Sequence, residues 1–451
     1  MNAFSRRGAC PALSAPMQTG DGRLVRLNPV AGGLSPKSLI GLGESALRHG
    51  NGIMEVTARG SLQIRGLTPG SARLLAAEVD AIGIAVRTGV PVETGPLAGL
   101  DPEEVADPRP LAEQIRAAID DPGLAQRLGP KVSVIVDGGG RLKMDAVTAD
   151  VRLAAMRTDA GTQWQVAVAG DGQTATLLVM VDEDAARNIA VAILRMVAEK
   201  GREAHARDLT ERQLRSLASW HLFAPPSART EGGAVERLPV PASFPNGVFD
   251  LTDGIALGIG LPFGSIPAQK LIELTQRAFT LGATEIRLAP GRALVFIGLS
   301  PTACRSLQQT AATLGFVTDA ADPRTRIAAC PGAPACASGR IATRDIAETI
   351  AAENRDILDS SLTLHISGCA KGCAHPGPAA LTLVGGENGA GLVVDGTAKA
   401  LPAGYRPGYD AARGVDRVAA AIRRTRFRGE TAAACLTRLG AAGVAELYRQ
   451  E

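Results

Sequence analysis

Apolar positions recur along this chain in two rhythms, and one passage carrying both of them occurs twice. From Ile53 the run IMEV, a short polar stretch and then LQIRGL read as two strands, and the apolar positions of ARLLAAEV recur at helical spacing. A shift of 232 positions lays GNGIMEVTARGSLQIRGLTPGSARLLAAEVDAIGI, from Gly50, over GATEIRLAPGRALVFIGLSPTACRSLQQTAATLGF, from Gly282, without a gap. Gly50, Leu62, Gly66, Leu67, Pro69 and Gly83 meet Gly282, Leu294, Gly298, Leu299, Pro301 and Gly315. Each copy predicts strand, tight turn, strand and amphipathic helix, the helix opened by Thr68 or Ser300 with proline at its first position. A duplicated module of this kind implies a pseudo-twofold design.

The remaining pattern divides the chain further. Pro225 to Gly247 is rich in Pro and Gly with little periodicity and reads as a linker. The expected units are a first repeat module (1–95), a first α/β region (96–224), the linker (225–247), a second repeat module (248–320) and a second α/β region (321–451). In the first half, VSVIV (Val132 to Val136) runs into Gly138, Gly139 and Gly140, a hairpin signal, and a helix is expected from an Asp182 N-cap to Gly201. In the second half, Leu362 to Ile366 and Ala380 to Gly386 read as buried strands. Gly414 to Arg428 reads as a basic helix with a solvated face. The class is α+β, in two pseudo-symmetric halves.

Composition narrows the functions. The 451 residues are 45% hydrophobic, 21% charged and 3% aromatic, which excludes disordered and fibrous classes. Forty-eight Lys plus Arg against 45 Asp plus Glu leave +3, too near balance for a nucleic-acid coat. No apolar run is long enough to span a bilayer, and Arg6 and Arg7 are followed by no apolar stretch of the export type, so a cytoplasmic location without membrane or nucleic-acid partners is expected. Seven cysteines in such a setting favour metal binding or catalysis over disulfides.

Four of those cysteines form a constellation. Cys330 and Cys336 in ACPGAPACASG make a C-x5-C, and Cys369 and Cys373 in HISGCAKGCAHP make a C-x3-C. Four thiolates in loops of Gly, Ala and Pro, whose backbone N–H groups can approach sulfur, are what a [4Fe-4S] cluster requires. Zinc competes, but its paired ligands favour spacings of two to four residues; inert buried thiols are the third reading. Cys304 and Cys435 fall on apolar helical faces and read as core, and Cys10 has no partner at ligand spacing.

The arginines supply a second constellation. Arg59, Gln63 and Arg65 differ by even numbers and share one sheet face if no bulge intervenes. Guanidinium forks pair bidentately with carboxylates, so such a face suits a polycarboxylate ligand. Arg287 and Arg292 are weaker candidates in the second copy. No dinucleotide fingerprint or P-loop occurs, since Gly258, Gly260 and Gly264 have the wrong spacing.

ACPGAPAC and GCAKGC, with the duplicated module carrying VTARGSLQIRG, resemble the sulfite and nitrite reductase superfamily, whose members join a [4Fe-4S] cluster to sirohaem. Within it, RRGACP, PMQTGDG, VTARGSLQIRG and GCAKGCAHP are similar to the precorrin-3B synthase branch of aerobic cobalamin biosynthesis. The resemblance implies ferredoxin-like repeat modules and cluster ligation by Cys330, Cys336, Cys369 and Cys373. It also implies tetrapyrrole contacts from Arg59, Gln63 and Arg65. The reductases carry a K-x-K pair that holds a small anion; here Lys131 takes the first place and Ser133 replaces the second, which weakens the case for sulfite. The expected activity is O2-dependent hydroxylation of precorrin-3A at C20 with γ-lactone formation, using electrons from a separate reductase or ferredoxin. The alternative is a sirohaem-dependent sulfite or nitrite reductase. Should the branch's separate mononuclear iron be present, His49, His365 and His375 are the first residues to test.

Overall fold

A computed structural model describes residues 11–30, 32–159, 161–218 and 245–450. Most of the expected linker and Cys10 lie outside them. The two repeats build sheets of the same order. The first runs Met17–Thr19, Gly22–Leu27, Leu62–Leu67, Ile53–Val56, Ser265–Pro267, and the second Gly247–Leu251, Gly254–Gly260, Ala293–Leu299, Glu285–Ala289, Gly33–Leu34. The fifth strand of each comes from the other copy: Ser265–Pro267 pairs antiparallel with Ile53–Val56, and Gly33–Leu34 with Glu285–Ala289. The exchanged strands lead into helices Pro36–His49 and Ala268–Thr280, which pack together. A Cβ on Gly43 would lie 2.7 Å from Ile272 Cγ1, so the crossing needs a glycine there. Leu39, Leu42, Ile64, Leu271, Leu274 and Leu294 join one core from both copies. At about 1.5–3 kcal/mol for each large side chain buried, that shared core gives the modules their common stability.

The outer sheets repeat one another as well. Val92–Thr94, Val134–Asp137 and Ala149–Thr158 are parallel neighbours, extended antiparallel by Gly161–Gly170 and Thr176–Val181. Ile327–Ala329, Leu364–Ser367 and Ala379–Gly386 are likewise parallel, extended antiparallel by Gly389–Gly396 and Gly404–Arg406. Helices Arg109–Ile119 and Glu183–Lys200 cover one sheet; Thr343–Glu353, Ala411–Thr425 and Ala432–Arg449 cover the other. The architecture is α+β. Helix Glu183–Lys200 keeps its expected Asp182 cap, whose side chain accepts from the Ala185 N–H.

The glycine run after Val136 does not make a hairpin. Val134–Asp137 is flanked by parallel strands on both sides, so the chain must cross over before Ala149. The Asp137 carboxylate organises that crossing by accepting the Gly139 N–H at 2.9 Å and the Met144 N–H at 2.6 Å. The basic helix runs over Ala411–Thr425. Arg423 pairs with Asp356 (2.7 Å), and Arg426, its C-cap, with Asp359 (2.8 Å), so these two arginines pin a loop. No described helix is long and apolar enough to cross a membrane.

Candidate functional site

Both cysteine loops leave the carboxyl ends of adjacent parallel strands, where α/β sheets gather their ligands. Cys330 follows Ile327–Ala329 directly, and Cys369 lies two residues after Leu364–Ser367. Backbone bonds knit the loops: Cys330 N–H to Ile366 O (3.3 Å), Arg340 N–H to Gly368 O (2.8 Å) and Cys336 N–H to Gly332 O (2.7 Å). A Cβ on Gly368 would sit 3.0 Å from Gly332 Cα and 3.1 Å from Gly339 Cα, so the two loops meet backbone to backbone. The Gly368 N–H donates to Cys330 Sγ at 3.2 Å, the kind of bond that steadies a thiolate. Cys330 is buried, Cys336 and Cys369 half-buried, and Cys373 exposed. Among the described residues, no three His, Cys, Asp or Glu side chains converge to hold a single ion. A cubane spreads its ligands over four corners and needs no such point, so small-residue loops, a thiol accepting an amide and four soft donors fit one.

Arg59 does not share the strand face of Gln63 and Arg65. It sits at the tip of the turn that joins Ile53–Val56 to Leu62–Leu67, held by the Thr57 N–H to Ser61 O (2.9 Å) and Gly60 N–H to Thr57 O (2.9 Å) bonds. Its Nη2 donates to Ser133 Oγ at 3.1 Å, so the serine in the second lysine's place lies against this arginine.

Arg65 departs further from expectation. It is 3% exposed, with Nε and Nη2 bound to Asp21 at 2.9 and 2.8 Å, Nη1 to Glu55 at 3.3 Å, and Nη2 also to the Ala335 carbonyl at 2.8 Å. Its fork is filled by internal carboxylates and by the cysteine loop. Burial works against the Arg65 charge, but Asp21 and Glu55 more than offset it and raise the pKa. Gln63 is also internal, donating to Glu55 (3.0 Å) and accepting from Arg26 (2.8 and 3.0 Å). Arg344, at the start of the helix after the first cysteine loop, pairs with the same Glu55.

These groups meet in one cavity of about 290 Å³, with Cys330 and Cys373 in its lining. Arg26, Arg59, Arg65, Arg292 and Arg344 line it against a single carboxylate, Glu55. Arg292 donates to the Ala374 carbonyl at 3.0 Å, and burial, then the Arg344 charge, lowers its pKa. A cationic excess in one cavity favours an anionic ligand. Arg59 also lines an adjoining cavity of about 390 Å³ with Arg87, Arg109, Arg116 and Arg287. There burial pushes the Glu93 carboxyl up, against the pull of Arg59, Arg87 and Arg26. Arg287 is engaged by Glu285 (2.9 Å) and by the Pro96 and Ala98 carbonyls.

Other expected residues fall elsewhere. Lys131 is exposed in the turn before Val134–Asp137 and lines neither cavity. His49 is paired with Glu78 at 2.9 Å, beside Arg48. His365 and His375 do come together, ring centroids 5.7 Å apart, but without a third ligand they do not form a mononuclear iron site among the described residues. Cys304 and Cys435 are buried in separate apolar cores. Arg26, Glu55 and Arg344 belong to the site and escaped the sequence reading. The cross-strand neighbours of Gln63, Arg26 on one side and Glu55 on the other, could have pointed to two of them.

The family described as Nitrite/Sulfite reductase ferredoxin-like half domain matches residues 15–82, the first of the two interlocked modules. Over 94% of this chain the fold is similar to that of Mycobacterium tuberculosis NirA, with a TM-score of 0.71, 20% identity and 84% of that chain covered. The fold is therefore that of nitrite and sulfite reductases. Across 449 residues, 99% of this chain and 96% of the other, the sequence is 41% identical to a protein of Sinorhizobium sp named Precorrin-3B synthase. The chain belongs to the precorrin-3B synthase family and is an enzyme.

Proposed function

We propose that this enzyme hydroxylates precorrin-3A at C20 with O2, a ring A acetate closing to a γ-lactone. The observation that carries the reading is the cavity in which Arg26, Arg59, Arg292 and Arg344 face Cys330 and Cys373, in a chain with a nearly full-length relative of that name. Precorrin-3A is an anionic tetrapyrrole, and the two cavities that share Arg59 offer an arginine-rich surface on the scale of a ligand pocket. Arg59, at the junction, binds a peripheral carboxylate; Arg26 and Arg344 set the potential around it, and Arg65 holds the wall in place. Cys330, Cys336, Cys369 and Cys373 would hold a [4Fe-4S] cluster, which supplies electrons one at a time. A separate reductase or ferredoxin delivers them, in keeping with the lack of a nucleotide motif in the sequence. Ser133 leaves a neutral hydroxyl where a reductase has a cation. Losing that cation weakens the hold on sulfite or nitrite relative to a reductase, while the arginines that remain are left for the carboxylates of the tetrapyrrole.

The test is an anaerobic visible spectrum of the purified protein before and after precorrin-3A is added. A broad iron–sulfur shoulder without sirohaem bands, altered by the ligand, is expected. Sirohaem bands would move the reading to a sulfite or nitrite reductase, and a colourless zinc-loaded protein would remove both.

A further inference from the structure

Beneath the cysteine loops lies a buried imidazole, His365. It is fully buried on Leu364–Ser367, between Ala328 and Thr382 of its parallel neighbours. Leu364 and Ile366, on either side of it, point into the apolar core against the helices, so His365 points to the opposite face. The C-x3-C loop covers that face: a Cβ on Gly372, the residue before Cys373, would lie 3.7 Å from His365 Cε1. Ser367 Oγ, on the same face, donates to the Cys369 carbonyl at 2.7 Å. Arg292 holds the loop at Ala374, and His375 stands edge-on to His365.

Both ring nitrogens of His365 lack a hydrogen-bond partner. An unpaired buried polar group is costly, and a neutral imidazole carries one N–H donor and one acceptor. Burial, then the charges of His375 and Arg292, push this imidazole down to about 4, so it is neutral near pH 7. The loop that covers this face carries Cys369 and Cys373, and thiolate or cluster sulfur accepts an N–H.

We infer that His365 donates its ring N–H to a sulfur of the cluster held by the overlying loop and thereby raises the cluster's affinity for an electron. Its role is positioning and tuning, without iron ligation. Hydrogen bonds to cluster sulfurs stabilise the more negative, reduced state and so raise the reduction potential. The inference rests on the cysteine quartet holding a cluster, and the experiment separates the two claims.

The experiment is an anaerobic spectroelectrochemical titration of reconstituted enzyme, wild type beside His365→Leu and His365→Asn, with iron and acid-labile sulfide measured in each. Wild type without iron and sulfide would sink the cluster reading itself. With the cluster present, His365→Leu is expected to keep its iron and take up an electron about tenfold less favourably, a fall of about 59 mV for one electron. His365→Asn, which keeps an N–H donor, should recover part of the shift. Unchanged potentials in a cluster-loaded His365→Leu would overturn the inference. So would loss of iron from both variants, which would make His365 a ligand or a structural support.

Discussion

Replacing Arg65 with methionine should loosen the first cysteine loop before it weakens ligand binding. The guanidinium is 4% exposed as a side chain, against 16% for Asp21 and 6% for Glu55. Removing one partner of a buried ion pair costs about 3–5 kcal/mol, because the charge left behind stays desolvated. Here the lower end applies. Glu55 keeps Arg344 and Gln63, and Asp21 keeps Thr19 (2.8 Å) and Asn51 (3.0 Å). The loop also loses its tie at the Ala335 carbonyl. A local cost of about 3 kcal/mol corresponds to roughly a hundredfold in an opening equilibrium. Hydrogen exchange read by mass spectrometry over residues 330–340 should therefore quicken by up to about 100-fold. Arg65→Lys, which keeps the charge but not the fork, should fall between. Wild-type exchange in Arg65→Met, together with a large loss of precorrin-3A affinity, would instead make Arg65 a ligand-binding residue.

Other outcomes follow from the same geometry. Arg59→Ala should weaken precorrin-3A binding by about 1.5–3 kcal/mol, measured by spectral titration, with exchange over 330–340 unchanged; unaltered affinity would place the carboxylates elsewhere. Serine at Cys330, Cys336, Cys369 or Cys373 should bleach the protein and abolish turnover, whereas Cys304→Ala and Cys435→Ala, both in apolar cores, should keep its colour. Burial raises Glu104 from 4.5 to about 7, so the folded state holds its proton longer than the unfolded chain and stability declines as pH rises from about 4.5 through 7. Glu104→Gln should flatten that decline in urea titrations, and an unchanged pH slope would show that Glu104 is not its source.

Much of the fold was legible because the repeat carries its own punctuation. Thr68–Pro69 and Ser300–Pro301 open their helices as expected, with Thr68 and Ser300 accepting from the N–H three residues on. The exchange of Gly33–Leu34 and Ser265–Pro267 was not legible, since two- and three-residue edge strands have no periodicity to read. Glycine after Val136 misled for a related reason: it marks a tight path, and whether the chain then folds back or crosses over depends on the strand beside it. The spacing of the four cysteines marked two loops, and the fold brings those loops together backbone to backbone. The arginine face was half visible, because alternation of two holds inside a strand and fails at a turn, where Arg59 sits. Nothing in the local pattern distinguishes an arginine facing a ligand from one facing Asp21, which arrives from a neighbouring hairpin. In the sequence His365 stood out only as one of three candidate iron ligands, with His49 and His375; burial and two unpaired nitrogens are properties of the folded chain.

An O2-dependent hydroxylation leaves an oxygen atom from O2 in the product. Cluster-loaded enzyme should be given precorrin-3A and an electron donor under 18O2, and the product mass recorded. One 18O atom in the product, no product without O2, and negligible sulfide or ammonia from sulfite or nitrite are expected. Product formed without O2 or without label, or sustained six-electron reduction of sulfite or nitrite, would contradict the proposed hydroxylation.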